Sequence, residues 1–193
     1  LLDGKRKNFK LNLYNIPVLL EDGTMRTENL LVKTSVHGPI VNMGEKEAIA
    51  LRIARLDNPG NMLDQWKKMG EATSLEEFQT ALAQNDLPMF NVMYADKAGN
   101  IFYHFAGYTP VRPEGDWDFW SGIVPGDDSK YIWDSYHSYE DLPKLLNPKS
   151  GWLQNANDPP YTCTVPTELN PSDYPAYMAP VEMGFRPQRA ANI

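Results

Sequence analysis

The most informative stretch of this chain runs Asn147-Pro148-Lys149-Ser150-Gly151-Trp152-Leu153-Gln154-Asn155-Ala156-Asn157-Asp158-Pro159-Pro160. Two asparagines and an acid crowd a turn here, beside aromatic and proline residues. A side-chain amide can donate a hydrogen bond to a developing oxyanion, and one such donor stabilises a transition state by about 3 kcal/mol. The same amides also form Asx turns, in which the side chain bonds only nearby backbone. The residues alone leave both interpretations open.

The composition is that of a globular domain and excludes several classes of protein. Of 193 residues, 42% are hydrophobic and 22% are charged, with a mean hydropathy of -0.49, which is unlike a disordered chain. No stretch approaches the roughly 20 apolar residues that a membrane-spanning helix needs. The net charge of -7 repels a phosphate backbone, so we expect no nucleic-acid partner.

The first third of the chain has the pattern of an antiparallel meander. Apolar residues nearly alternate from Lys10 to Leu20, and Asp22-Gly23 supplies a turn. Further runs rich in β-branched and aliphatic residues cover Leu30 to Val36, Ile40-Val41 and Ala48 to Leu56. We therefore predict strands over these segments.

A small helical insert is predicted for about residues 60–86. Apolar residues fall at helical spacing from Met62 to Met69, and Ser74 begins a capping box ahead of a second apolar stripe. The runs Met89 to Ala95 and Ile101 to Ala106 then predict a β-hairpin with a glycine-containing loop.

Beyond Gly107 the sequence predicts long ordered loops, because most of the prolines and four of the five tryptophans lie there. We find no repeat and no linker, so residues 1–193 are expected to form a single unit of the α+β class, rich in antiparallel sheet. The chain begins at Leu1 with neither an initiating methionine nor a signal peptide, and we expect it to be an internal fragment of a longer protein.

The other reactive residue types do not assemble a site in the sequence. The three histidines, His37, His104 and His137, have no metal-site spacing; His37 is predicted to be a turn residue and His104 a packed, hydrogen-bonded one. A lone Cys163 is expected to be structural. The acidic loops are expected to be solvated, and their carboxylates are Asp116, Asp118, Asp127, Asp128, Asp134, Glu140 and Asp141. We predict no metal and no cofactor, and the chain supplies no convincing nucleophile.

The segment from Asn147 to Pro160 resembles the corresponding stretch of the penicillin acylases, a family whose relatives deacylate acyl-homoserine lactones and lipopeptides. Other family-like pieces occur in order along nearly the whole chain. They are Thr34–Val41, Tyr94–Ile101, Gly107–Arg112, Tyr174–Tyr177 and Phe185–Ala191. The last two look closest to the lactone and lipopeptide acylase branch. We identify the chain as a member of this family and as an internal piece of its large (β) subunit.

The resemblance implies an N-terminal nucleophile hydrolase with an αββα fold, made as an exported precursor that cleaves itself. A serine at the new N-terminus attacks the amide with its own amine as base. We expect that serine to lie outside this chain, so the isolated fragment is expected to be inactive. Asn157 matches the asparagine that donates to the oxyanion, and Arg189 matches an arginine that supports the site. Some relatives bind calcium, whose ligands cannot be matched to this sequence.

The implied reaction releases an acyl group from a linear amide of the acyl-homoserine lactone, penicillin or lipopeptide type, in the periplasm or outside the cell. The implied partners are the substrate, the remaining segments of the precursor and its small (α) subunit. Four tryptophans are candidates for an acyl pocket or for packing: Trp117, Trp120, Trp133 and Trp152. The alternatives are a non-catalytic interaction module with aromatic loops, and a glycan-binding domain. An isolated fragment is also expected to self-associate through exposed sheet edges.

Overall fold

The computed structural model of the protein describes residues 1–55 and 61–192. Its contacts divide into two compact units, each made of two separate stretches of chain. Unit 1 consists of Leu1–Ile53 and Ile123–Ile132, and unit 2 consists of Ala54–Gly122 and Trp133–Ile193. The single unit expected for residues 1–193 stays a prediction.

Unit 1 contains the predicted antiparallel meander. Its strands are β1 (Lys10–Leu19), β2 (Met25–Ser35), β3 (Gly38–Met43) and β4 (Ala48–Ala50), in the sheet order β1-β2-β3-β4. The turn between β1 and β2 closes where the Leu20 amide donates to the Thr24 carbonyl at 2.9 Å. Pairing begins at once with Leu19 opposite Met25, so β2 starts before the predicted Leu30.

The fourth strand is shorter than the predicted run from Ala48 to Leu56, so that prediction is wrong. Its partner β3 begins at Gly38, and the pairing of the two strands runs only from Met43 opposite Ala48 to Ile40 opposite Ala50. Leu56 itself lies outside the described residues. Gly38 has φ +125°, and a Cβ there would stand 2.1 Å from the Leu51 carbonyl oxygen. Only glycine allows the chain to pass so close to that oxygen.

The helical insert is confirmed at the start of unit 2. It consists of α1 (Met62–Glu71) and α2 (Leu75–Leu82). Ser74 caps α2 by accepting from the Glu77 amide at 3.2 Å. In the predicted capping box the Glu77 carboxylate would accept from the Ser74 amide. It accepts instead from the amide and hydroxyl of Thr73, one residue earlier, at 2.7 and 2.8 Å.

The second sheet lies in unit 2 and has two packed faces. Its strands are β5 (Phe90–Ala95), β6 (Ile101–Ala106) and β7 (Lys144–Leu146), all antiparallel. Because side chains alternate across a strand, one face packs Val92 and Phe102 in a core with Leu82 of the helical insert. The other face packs Tyr103 of β6 against Tyr161 and Cys163 of the loops.

Asn147 ties the end of β7 to the turn between β5 and β6. Its side-chain oxygen accepts from the Ile101 amide at 2.8 Å, and its amide donates to the Asn100 side chain at 3.0 Å. Asn147 also has φ +49°, a conformation that asparagine tolerates better than most residues. The Asn-Pro pair thus fixes where the segment from Asn147 to Pro160 leaves the sheet.

The region after Gly107 contains loops, as predicted, together with short helices and a strand that were not predicted from the sequence. These are α3 (Trp117–Ser121), β7 and α4 (Phe185–Ala191). Two antiparallel sheets and four helices among the described residues make the α+β class correct. None of the helices in residues 1–55 and 61–192 is long and apolar enough to cross a membrane.

Candidate functional site

The turn from Asn155 to Asp158 is held by its own side chains. The Asn155 side-chain oxygen accepts from the Asn157 amide at 2.9 Å, which is an Asx turn. The Asn155 side-chain amide donates to the Asp158 carbonyl at 3.3 Å. The interpretation as an Asx turn is therefore right for Asn155. Asn157 uses its side chain differently.

Asn157 lies in this turn and offers both ends of its side-chain amide. It is exposed and has φ +60°. Its side-chain oxygen accepts from Arg186 Nη2 at 2.9 Å. A cation on the oxygen fixes which end of the amide points away, because reversing the amide would bring its N–H groups against the guanidinium. Within residues 1–55 and 61–192, the Asn157 Nδ2 has no hydrogen-bond acceptor.

The arginine that reaches Asn157 is Arg186 and not Arg189. Both lie on α4, three residues apart, and both are exposed. The supporting role expected of Arg189 stays a prediction, and Arg186 was missed as a site residue. Both arginines stand in the family-like run Phe185–Ala191, but the sequence did not predict this short helix and so could not say which arginine faces the turn.

Asp158 is the second residue that sequence reasoning missed. Its carboxylate is buried and accepts from the Ala156 amide at 2.8 Å and from Gln154 Nε2 at 2.9 Å. The Thr162 hydroxyl donates to it as well. Acids are rarely buried unless paired. The signal in the sequence was an aspartate that follows a run of amides and directly precedes two prolines.

The histidines and the cysteine hold structural positions. His37 lies in its predicted turn, where its amide donates to the Ser35 hydroxyl at 3.1 Å, and its Nε2 is 2.9 Å from the Gly126 carbonyl. Cys163 is buried, and burial raises the pKa of its thiol to about 12, which opposes a role as nucleophile.

His104 is packed as predicted, but the prediction that it is hydrogen-bonded is wrong. The ring is fully buried, and neither ring nitrogen has a partner in the described residues. It lies against the Tyr139 ring, with 4.8 Å between centroids. Aromatic packing holds the side chain where hydrogen bonds were expected, and burial lowers the pKa of His104 to about 4.

Two of the four candidate pocket tryptophans pack around a cation. The Arg112 guanidinium carbon lies 4.6 Å from the Trp120 ring, 5.6 Å from the Tyr177 ring and 5.9 Å from the Trp133 ring. This arrangement is a cation–π cluster and favours packing for Trp120 and Trp133. Trp117 and Trp152 as pocket residues stay a prediction. In the part of the chain that the structure describes, no group of three or more His, Cys, Asp or Glu side chains is placed to hold a metal.

The turn and its segment have known relatives. The acyl-homoserine lactone acylase PvdQ of Pseudomonas syringae pv. tomato is 31% identical over 110 residues, which are 53% of this chain and 14% of that protein. The penicillin G acylase of Escherichia coli is 29% identical over 164 residues, which are 78% of this chain and 16% of that protein. The chain thus spans 14 to 16% of the length of these two relatives.

A solved structure shares the fold. The thermostable penicillin G acylase from Alcaligenes faecalis superposes on 94% of this chain and 32% of its own, with a TM-score of 0.68 and 21% sequence identity. This likeness shows the fold. The predicted resemblance to the penicillin acylases is confirmed by the family match. The sequence profile of the penicillin amidase family matches the chain from residue 1 to residue 193. The protein therefore belongs to the penicillin amidase family.

Proposed function

We propose that this chain is part of an amidase that removes an acyl group from a linear amide, and that Asn157 donates its side-chain amide to the oxyanion. One observation carries the proposal. The Asn157 oxygen accepts from Arg186, while its Nδ2 belongs to an exposed residue and has no acceptor among the described residues. A neutral donor held in a fixed direction is what the negative oxygen of a tetrahedral intermediate needs.

The nucleophile in this proposal is an N-terminal serine supplied outside these 193 residues. Its free amine acts as the base, and the serine oxygen forms an acyl-enzyme that water then hydrolyses. The names of the relatives, acyl-homoserine lactone acylase and penicillin G acylase, support substrates in which an apolar acyl group is joined to a polar amine. The parent protein is then a processed precursor, exported to the periplasm or secreted.

Arg186 is the arginine that we expect to position Asn157. A hydrogen bond from a charged group contributes about 1.5 kcal/mol, which corresponds to about a tenfold change in turnover. Arg186→Ala in the complete mature enzyme is therefore expected to lower kcat about tenfold, which is more than the matched Arg189→Ala lowers it. The opposite ranking of these matched variants would return the supporting role to Arg189.

An apolar surface for the acyl group is available in unit 2. The Trp66 and Phe90 rings meet edge to face with 5.2 Å between centroids, and both remain substantially exposed, at 51% and 42%. Met89, which precedes Phe90 in the chain, is exposed too, and methionine adapts to varied apolar ligands. We expect Trp66→Ala to raise KM more for long-chain than for short-chain acyl amides. Ile123→Ala removes an even more exposed apolar residue, at 81%, from unit 1 and serves as the control.

The exposed apolar face of the unit 1 sheet supports the expectation that other segments of the precursor bind this chain. The cross-strand pairs Leu13–Leu31 and Leu19–Met25 are all more than half exposed. Uncovered apolar sheet faces of this kind mark interaction surfaces. We expect other segments of the same precursor to cover this sheet, and the isolated chain to self-associate. Light scattering that finds a monomer at high concentration would contradict the expected self-association.

The experiment that tests the proposed reaction is product release by the complete enzyme. Long-chain acyl-homoserine lactone and phenylacetyl amides serve as substrates, and the freed amine is measured. Amine release from either substrate supports an amidase, whereas opening of the lactone ring with the amide left intact would contradict the reaction proposed for this chain.

A further inference from the structure

Asp158, the residue directly after Asn157, ties together both limbs of the turn. On the incoming limb it accepts from the Ala156 amide and from Gln154 Nε2, at 2.8 and 2.9 Å. On the outgoing limb it accepts from the Thr162 hydroxyl. Its carboxylate is buried, so these bonds are shielded from competing water.

The conformation of Asn157 needs such support. Its φ of +60° lies in the left-handed region, which asparagine tolerates better than most residues but which still costs free energy that the surroundings offset. The Asn155 side chain provides one bond to the Asn157 amide. The Asp158 carboxylate fixes the Ala156 amide before Asn157 and the Thr162 side chain after it. It therefore restrains the direction in which the Asn157 side chain leaves the backbone.

Gln154 shows how strongly the segment is organised around this acid. Both Gln154 amide hydrogens go to acceptors, since Nε2 donates to Asp158 at 2.9 Å and to the Thr162 carbonyl at 2.7 Å. Its Oε1 is left buried without a partner among the described residues. An unpaired buried oxygen is unfavourable, so this orientation is kept because Gln154 Nε2 then reaches two acceptors, the Asp158 carboxylate and the Thr162 carbonyl.

We propose that Asp158 is a positioning residue for catalysis: its buried carboxylate holds the left-handed turn that aims the Asn157 amide at the oxyanion. The inference rests on the proposed function of Asn157. Asp158 touches no reacting atom in this account. It acts through Asn157 alone, so its removal lowers the rate of the chemical step and leaves substrate binding nearly intact.

The test uses the complete mature enzyme, four single variants and one double variant. Asp158→Asn keeps the shape of the side chain but turns one acceptor oxygen into a donor. Thr162→Val removes the hydroxyl that bonds Asp158, and Thr162→Ser retains it as the matched control. Asn157→Ala, alone and combined with Asp158→Asn, completes a double-mutant cycle. Each protein is checked for native circular dichroism before kcat and KM are measured.

We expect Asp158→Asn to lower kcat by about thirtyfold and to change KM by less than about twofold, since a small misplacement of a catalytic group has effects of this size. Thr162→Val lowers kcat less, and Thr162→Ser restores it. In the Asn157→Ala background, Asp158→Asn has no further effect.

Three results would overturn the proposal. If the folded Asp158→Asn enzyme has the wild-type kcat, Asp158 has no positioning role, whereas the role proposed for Asn157 is unaffected. An undiminished effect of Asp158→Asn in the Asn157→Ala background shows that Asp158 acts elsewhere. Full turnover by Asn157→Ala removes the proposed oxyanion donor and this inference together. If Asp158→Asn fails to fold, the Thr162→Val and Thr162→Ser pair decides, and equal kcat in those two variants counts against the proposal.

Discussion

Acidification is expected to destabilise unit 2 through His104. The ring is fully buried at the centre of the second sheet, with neither nitrogen hydrogen-bonded in the described residues. Burial lowers its pKa from 6.5 to about 4 and outweighs the backbone of Pro143, which acts in the opposite direction. The unfolded chain therefore takes up a proton near pH 6.5, whereas the folded chain resists protonation until about pH 4.

The magnitude follows from the two pKa values. Each pKa unit corresponds to about 1.4 kcal/mol, so the gap between 6.5 and about 4 amounts to about 3 kcal/mol. The contribution of His104 to the free energy of unfolding is fully present above pH 6.5 and is lost as the pH falls towards 4. At pH 5 about 2 kcal/mol is already lost.

The assay compares wild type with His104→Phe in urea at several pH values between 4.5 and 7.5. All five tryptophans lie in unit 2, so their fluorescence reports on that unit: Trp66, Trp117, Trp120, Trp133 and Trp152. The carboxylates are common to both proteins, and their contribution cancels in the difference. The advantage of wild type over the variant should shrink as pH falls from 6.5 to 4.5. A difference that stays constant within about 0.5 kcal/mol over this range would refute the reasoning.

The remaining predictions concern a turn, a helix cap and a thiol. Gly38→Ala should destabilise unit 1 by more than about 2 kcal/mol, whereas Gly23→Ala should cost about 1 kcal/mol, because Gly23 has φ +81° but open space around it. Hydrogen exchange of β3 measures both costs. Equal costs would contradict the close approach of Gly38 to Leu51. Ser74→Ala should cost about 1 kcal/mol in urea unfolding, and a cost near zero would mean that the cap does not stabilise α2. The buried Cys163 should react with iodoacetamide only in denaturant, so rapid labelling of the folded chain at pH 8 would contradict its raised pKa.

Much of the fold could be predicted from the sequence, because interactions between residues close in the chain determine it. The alternating run in β1, the Asp-Gly turn after it and the Ser74 cap each specify their structure within a few residues. The end of β4 could not be predicted from the sequence, because it depends on where its partner strand β3 begins on the other side of a turn. The strand β7 has only three residues between prolines and gains its structure from pairing with β6.

The candidate site divides in the same way. Asn157 was found from a dense local run of amides, and its role was assigned by resemblance to a family. Arg186 and Asp158 could not be assigned from the sequence, because their contacts depend on how α4 and the Thr162 loop fold back on the turn. The spacing between Asn157 and Arg186, 29 residues, carries no pattern that the sequence alone reveals.

The central claim is that the Asn157 amide stabilises the oxyanion, and the most direct measurement is the acylation rate of Asn157→Ala in single-turnover experiments with the complete, fully processed enzyme. Asn170→Ala is the control, because Asn170 also forms an Asx turn, with the Ser172 amide at 3.1 Å. The account predicts that Asn157→Ala slows acylation by about a hundredfold or more while Asn170→Ala does not. Equal rates in wild type and Asn157→Ala would contradict the claim and leave Asn157 as a turn residue.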